Sequence, residues 1–355
     1  MAIFVVDTSA DTTDDDGLFS LREAIEASNA TPGSDLIKFD ASLAGTPIVL
    51  SSDLPAIESS VRIVGDNGIT IDGAREHNIF NISGEDDLRV VIKDLILIDP
   101  MPHAVWIQSE DNSVSLVNLS LKVRDDDAIK VDGDDTDLTI RRSVVNLTEG
   151  AFDDVDGIDS NGENVHLKIT GSTFVGNPDL DDSDGIELDG DGSSVIIWNS
   201  TFENMPYGVT VDESIGSDVR IYGSSFESTS IDGTGISYIG VDDGGDDFYL
   251  LVARSYFGGN GEDGISFGEG AGVDGGSFVV RNSVFDGNGD GIDLDELTAN
   301  VDGLIWRSEF LDQEDDAIEQ GSTSSEVSVY ASLFAGNDTN FDGAGPIFEA
   351  NNIFV

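Results

Sequence analysis

Cysteine is absent from the 355 residues, and basic side chains are scarce: 16 Lys and Arg stand against 71 Asp and Glu. The first absence removes disulfides, thiolate zinc sites and thiol nucleophiles. The second sets a formal charge of −55 at pH 7, which repels nucleic-acid phosphates and anionic membranes. No local basic cluster offsets it, so neither nucleic acid binding nor membrane insertion is expected. Long apolar runs are also missing. None approaches the roughly 18 residues that span a bilayer, and Met1 to Val6 is too short for a signal-peptide core. Export would use a signal of another kind, or one that precedes this sequence. Walker loops, dinucleotide fingerprints, HExxH pairs and nucleophile elbows are all lacking.

What is present is a repeat. Val, Ile, Leu and Phe recur at regular positions along the whole chain, which argues against disorder. From residue 94 a small polar residue marks a column: Asp94, Asn118, Ser143, Ser172, Ser200, Ser224, Ser255, Ser283, Ser308 and Ser332, with gaps of 24 to 31 residues. Two residues on, Phe174, Phe202, Phe226, Phe257, Phe285, Phe310 and Phe334 repeat in step. A second column reads Asp-Gly-Ile or Asp-Ala-Ile at Asp127, Asp156, Asp184, Asp263, Asp290 and Asp316, with His103, Tyr207 and Thr234 filling the gaps in register. Each unit holds short alternating runs, such as Val195 to Trp198, between Gly, Asp, Asn and Ser turns, and no helical pattern. A unit this short cannot bury an apolar face alone, whereas stacked units share a continuous interior. The expected fold is all-β: a single right-handed parallel β-helix, a solenoid of 24- to 31-residue coils forming one domain over residues 1–355.

Residues 1–88 read as a cap and irregular first coils, and 89–355 as regular coils. Ser20-Leu21-Arg22-Glu23 has capping-box spacing, and Leu21, Ala24 and Ile25 share a face, so residues 20–29 are expected to form a short capping helix. At the other end Phe348, Ile353 and Phe354 keep the coil pattern to the last residue. That end reads as a segment of a longer polypeptide, or as one capped by another subunit of a homo-oligomer.

Phe4 to Thr8, then Phe19-Ser20-Leu21-Arg22-Glu23-Ala24-Ile25, then Asp35 to Asp40 resemble the Cys-Ser-Leu-Arg-Glu-Ala N-terminal segment of large bacterial surface and secreted β-helix proteins. Phe19 stands where that family has its cysteine. The coils from Asp94 to Phe348 resemble those shared by pectate lyases, polysaccharide epimerases, fructotransferases, tailspikes and adhesins. These resemblances imply a bacterial protein that is secreted or at the cell surface, and they say little about activity, because one fold hosts many functions.

Strand alternation turns Trp106, Lys130, Asp159, Glu187 and Thr210 outward if Val105, Ile129, Ile158, Ile186 and Val209 face the core. His103, Asp127, Asp156, Asp184 and Tyr207 lie just upstream at the lip of that face. Trp106 and Tyr207 suit pyranose stacking, and the polar groups suit acid and base work. Lys122 and Arg124 in the adjoining strand would sit beside an acidic substrate, and 12 of the 16 basic residues lie at or before Lys168. The stretch 89–168 is therefore where an anionic ligand is sought. Arg254, Arg281 and Arg307 read instead as a ladder pairing with acidic neighbours. The competing view of the Asp column is structural, since aspartate before Gly-Ile bonds to nearby backbone. Stacked like charges would repel unless solvated, protonated or bridged, and a hard cation such as Ca²⁺ takes six to eight oxygen ligands. Asp126, Asp127, Asp154 and Asp182 are the candidate ligands.

Two functions follow. One is a carbohydrate-active protein working on an extracellular, anionic polysaccharide by lyase, epimerase or hydrolase chemistry, with His103, Lys130, Asp156, Asp159, Asp184, Glu187 and Tyr207 as the catalytic pool and Trp106, Lys122 and Arg124 binding substrate. The other is a non-catalytic adhesin or surface module whose acidity serves Ca²⁺ or salt tolerance.

Overall fold

The structure is a computed structural model, and it describes residues 1–14, 16–84, 87–149, 155–180, 183–212, 214–228, 233–239, 248–269, 275–294, 301–321, 325–343 and 347–355. The chain forms two compact units, Met1–Phe174 and Val175–Val355. Both are parallel β-solenoids, in which every strand pairs with its counterpart in the next coil.

In the first unit, one aliphatic position recurs in register: Ile37, Ile63, Ile92, Leu116, Ile140 and Ile169 pair in turn. All are essentially inaccessible to solvent. The one α-helix among the described residues is Leu21–Asn29, preceded by Ser20. Its capping box is complete: Ser20 Oγ accepts from the Glu23 N–H at 3.1 Å, and Glu23 Oε2 accepts from the Ser20 N–H at 2.8 Å. Leu21, Ala24 and Ile25 are buried, and the helix packs on strands Ile3–Val6 and Asp35–Phe39. No helix among the described residues is long and apolar enough to cross a membrane.

The second unit explains the two sequence columns. Phe202, Phe226, Phe257, Phe285, Phe310 and Phe334 stack with ring centroids 4.8 to 5.1 Å apart and planes within 6°. This is the coil-to-coil spacing of a parallel sheet. The serines run alongside as a relay. Ser224 Oγ accepts from the Ser200 N–H at 3.2 Å and donates to the Tyr222 carbonyl at 3.1 Å. Ser255, Ser283, Ser308 and Ser332 repeat the pattern. A small hydroxyl satisfies buried backbone groups where a larger side chain would not fit. The same crowding dictates glycine at 208, where a Cβ would lie 2.5 Å from the Phe226 ring and from the Gly235 carbonyl.

Removing one ring interrupts this stack on both sides. Phe226→Ala is expected to destabilise the chain by about 3–5 kcal/mol, the usual loss for a buried phenylalanine, and Phe226→Leu by clearly less. Urea denaturation of the three proteins measures this; equal midpoints would contradict the stack's role.

Candidate functional site

The first unit's second sheet consists of three-residue strands Phe80–Ile82, Val105–Ile107, Ile129–Val131 and Ile158–Ser160. Phe80, Val105, Ile129 and Ile158 fill the core in register, and the middle residues Asn81, Trp106, Lys130 and Asp159 stack one coil apart on the opposite side. The expected outward turn is therefore realised at Trp106 and Lys130, which are half-buried, whereas Asp159 is buried under its pairing with Lys130. The Lys130 ammonium bonds the Asp159 carboxylate. The Trp106 indole donates to Asp132 Oδ2 at 2.6 Å, and its ring meets His103 edge-on with centroids 5.4 Å apart.

His103, Asp127 and Asp156 form the lip, and all are buried. They also bind coil to coil. Asn78 Oδ1 accepts from the His103 N–H at 3.0 Å, and Asp127 Oδ1 accepts from the Asp156 N–H at 3.1 Å. Aspartate thus does the backbone work expected of a turn residue, but across coils instead of within its own turn. Burial pushes the Asp127 carboxyl up to about 6, opposed by the Asp156 N–H and by His103. Carboxyl oxygens of Asp127, Asp156 and Asp159 all lie within 4.8 Å of one another. Asp126 joins on the other side, its Oδ1 being 3.5 Å from His103 Nδ1. Of the metal-ligand candidates, Asp126 and Asp127 come together, while Asp154 and Asp182 lie outside the described residues.

Lys122 and Arg124 are not free to receive an anion. Both bond Glu149, and Arg124 Nε also donates to Asp99 Oδ1 at 3.0 Å. Lys122, then Arg124, hold the Glu149 carboxyl below its ordinary value. Sequence reasoning missed Glu149, and periodicity carries no signal for it, because it sits in a turn outside both columns.

Asp184, Glu187 and Tyr207 belong to the second unit. Asp184 bridges Tyr207 and accepts the Thr210 hydroxyl at 2.6 Å, and Glu187 faces Thr210 in register. Farther along, Asp263 Oδ1 accepts from the Asp290 N–H at 3.3 Å and Asp290 Oδ1 from the Asp316 N–H at 2.6 Å. Burial, then the charges of Asp293 and Asp290, push Asp263 up to about 9.

No protein-family model matches the chain, and no curated protein does. Solved structures do. The catalytic domain of a GH87 alpha-1,3-glucanase in complex with nigerose is similar at TM-score 0.56 and 10% identity, over 98% of this chain and 69% of that one. A tailspike protein double mutant of E. coli bacteriophage HK620 gives TM-score 0.55 and 11% identity over 94% and 62%. PfbA, a surface adhesin of Streptococcus pneumoniae, gives 0.55 and 13% over 99% and 90%. The shared property is the parallel β-solenoid. Identities this low establish fold and leave chemistry to the residues.

The shift at Asp263 has a pH consequence. Between its unfolded value of 3.8 and its folded value of about 9, the folded chain holds a proton that the unfolded chain releases. Stability from this group therefore falls as pH rises through that window. Asp263→Asn keeps the acceptor for the Asp290 N–H and is expected to raise the melting temperature at pH 8 while leaving it unchanged near pH 4. Equal shifts at both pH values, read by scanning fluorimetry, would sink the assignment.

Proposed function

We propose that the chain is a secreted or surface-bound protein that hydrolyses an extracellular polysaccharide at the face carrying Trp106, Asp127, Lys130, Asp156 and Asp159. The carrying observation is the carboxyl trio, whose oxygens lie within 4.8 Å while their surroundings differ. Asp127 is pushed up by burial, and Asp159 bonds an ammonium. A carboxyl pushed up by burial beside one bonded to an ammonium is the kind of pair that glycosidic cleavage uses. Asp127 supplies a proton to the departing glycosidic oxygen as the anomeric C–O bond breaks. Because the carboxyl oxygens stand closer than the roughly 6.5–9.5 Å that would admit an inverting water, Asp159 attacks the anomeric carbon, and water, deprotonated by Asp127, then releases the sugar. Trp106 offers an apolar surface to the sugar ring.

The paired cations favour hydrolysis over elimination or epimerisation. Those reactions neutralise a uronate carboxylate beside the carbon that loses its proton, and here Lys122, Arg124 and Lys130 are already held by Glu149 and Asp159. The sugar at the point of cleavage is accordingly neutral.

A panel of neutral and acidic polysaccharides tests this. New reducing ends are expected without unsaturated ends that absorb in the ultraviolet. Asp127→Asn should cost about 100-fold or more, the usual worth of a general acid. The wild-type rate should fall as pH rises through about 6, where Asp127 loses its proton. Unsaturated products, or full activity in both Asp127→Asn and Asp159→Asn, would overturn the reading.

A non-catalytic surface module is the second reading, favoured by the same lip. Asp127, Asp263 and Asp290 each cap a backbone N–H of the next coil, a use that needs no substrate. On this reading Ca²⁺ would bridge the stacked carboxylates, and a cation at one hundred times its dissociation constant stabilises by about 2.7 kcal/mol. Millimolar Ca²⁺ is then expected to raise the melting temperature more than sodium chloride of equal ionic strength. Equal increases would leave only screening.

A further inference from the structure

Arg254, Arg281 and Arg307 of the second unit lie on a face that neither functional reading uses. Trp198, Tyr222, Ala253, Arg281, Trp306 and Tyr330 pair in register, one per coil, as an outward row. Trp198, Trp306 and Tyr330 are 44%, 40% and 38% exposed, large values for aromatic side chains. The next residue in each coil turns the chain, and Arg254 and Arg307 occupy two of those turns. The row on the other side carries Ile196, Arg220, Leu251, Val279 and Leu304 in the same register. These three rows contain no Asp or Glu, although the chain has 71. They hold every basic residue after Lys168.

The sequence reading paired Arg254, Arg281 and Arg307 with acidic neighbours. All three are exposed, and none forms an ion pair among the described residues; Arg220 does, with Asp218. Arg254 and Arg307 also adopt positive φ, 58° and 52°, at a turn where other coils place Asn199, Gly223 or Asn282. Asn and Gly reach that conformation more cheaply than arginine; Arg307 recovers part of the cost by lying over the Trp306 ring, and Arg254 has no such local partner among the described residues.

The shape points to the occupant. The Trp198 and Tyr222 rings meet with centroids 4.5 Å apart and planes tilted by 30°. The following coil places the small, buried Ala253 there, and the one after it presents Arg281. At roughly 4.8 Å per coil, this leaves about 10 Å between Tyr222 and Arg281. A groove of about 320 Å³ fills that interval, lined by Trp198, Tyr222, Ala253, Arg254, Arg281 and Asn282. Beyond it the Arg307 guanidinium lies 4.4 Å over the Trp306 ring.

We propose that this groove binds an acidic pyranose of an extended polysaccharide, its ring against Tyr222 and its anionic group held by Arg254 and Arg281, with Trp306 and Tyr330 supporting the neighbouring sugars. Aromatic faces suit the C–H faces of sugars, and the planar guanidinium fork suits carboxylate or sulfate. Nucleic acid fits less well. It carries a charge on every nucleotide and would run beyond three guanidiniums into an acidic surface, whereas a glycan can space its charges one per repeat. The site goes beyond the hydrolytic reading and shares no residue with it.

The test is binding to the full chain carrying Asp127→Asn, so that cleavage has no part in the readout. Tryptophan fluorescence and calorimetry are followed with oligogalacturonate, chondroitin sulfate oligosaccharide, maltohexaose and oligo-dT. Saturable binding of at least one acidic oligosaccharide is expected, with maltohexaose at least tenfold weaker. Tighter binding of the galacturonate probe names carboxylate as the preferred group, and of the chondroitin probe, sulfate. Arg281→Gln and Arg254→Asn should each weaken binding about tenfold or more, and Tyr222→Leu should do so without touching a charge. Arg254→Asn should also melt no lower than its parent, which separates lost binding from lost fold. No binding of either acidic probe, equal affinity for maltohexaose, unchanged affinity in both arginine variants, or tighter binding of oligo-dT would each overturn the proposal.

Discussion

Parallel stacking in register makes each side chain the neighbour of its own equivalent, about 4.8 Å away in the next coil. Every other feature answers to that constraint. Apolar groups satisfy it without help, as the phenylalanine stack and the aliphatic column around Ile92 and Leu116 do. Groups that both donate and accept satisfy it by relay, as Ser224 does between two coils and as Asn260 and Asn288 do through their side-chain amides, 2.8 Å apart. Carboxylates cannot, because an ionised Asp accepts but does not donate.

The aspartate column shows how that conflict is settled. The donor comes from the backbone: the N–H of one aspartate is directed at the carboxylate of the previous one. Charge is lowered where burial is deep enough, as at Asp263, or neutralised by an interleaved cation, as Lys130 does for Asp159. Structural demand and chemical opportunity therefore coincide at the lip. The arrangement that lets acids stack also pushes Asp127 and Asp263 up through burial, the direction that the proposed general acid at Asp127 would need.

Columns that face inward were legible in the sequence for a simple reason. Core positions admit few residue types, so Phe202, Phe226 and Phe257, or Ser224 and Ser255, announce the register by identity. Trp106, Lys130 and Asp159 followed from it, since alternation fixes which residues share a face. Partners of surface charges were not legible. Glu149 meets Lys122 and Arg124 from a turn whose length varies from coil to coil, and no period predicts where such a turn returns. Arg254, Arg281 and Arg307 were assigned acidic partners on composition, in a chain where one residue in five is acidic. Their actual surroundings depend on the rows beside them, which lack acids altogether.

Net charge is consequently a poor guide to what each face of this protein meets. A charge of −55 sets the field at long range only at low ionic strength, and within about 8–10 Å of a surface at physiological salt the local rows dominate. In the first unit the basic residues outnumber those of the second, yet around the lip they are consumed by Glu149, Asp99 and Asp159. In the second unit they are few: Arg220 pairs with Asp218, and Arg254, Arg281 and Arg307 form no ion pair among the described residues. Holding arginine at left-handed turns costs about 1–2 kcal/mol per residue relative to an unstrained position, and leaving guanidiniums unpaired forgoes attraction that an acidic chain could supply almost anywhere. A fold that repeats every coil can place a low-cost Asn or Gly at each turn, as it does at Asn199, Gly223 and Asn282. Arg142, Arg254, Arg307 and Ala331 depart from that rule, and at Arg254 and Arg307 the departure sets a guanidinium beside a row of exposed aromatics, where the proposed recognition would account for it.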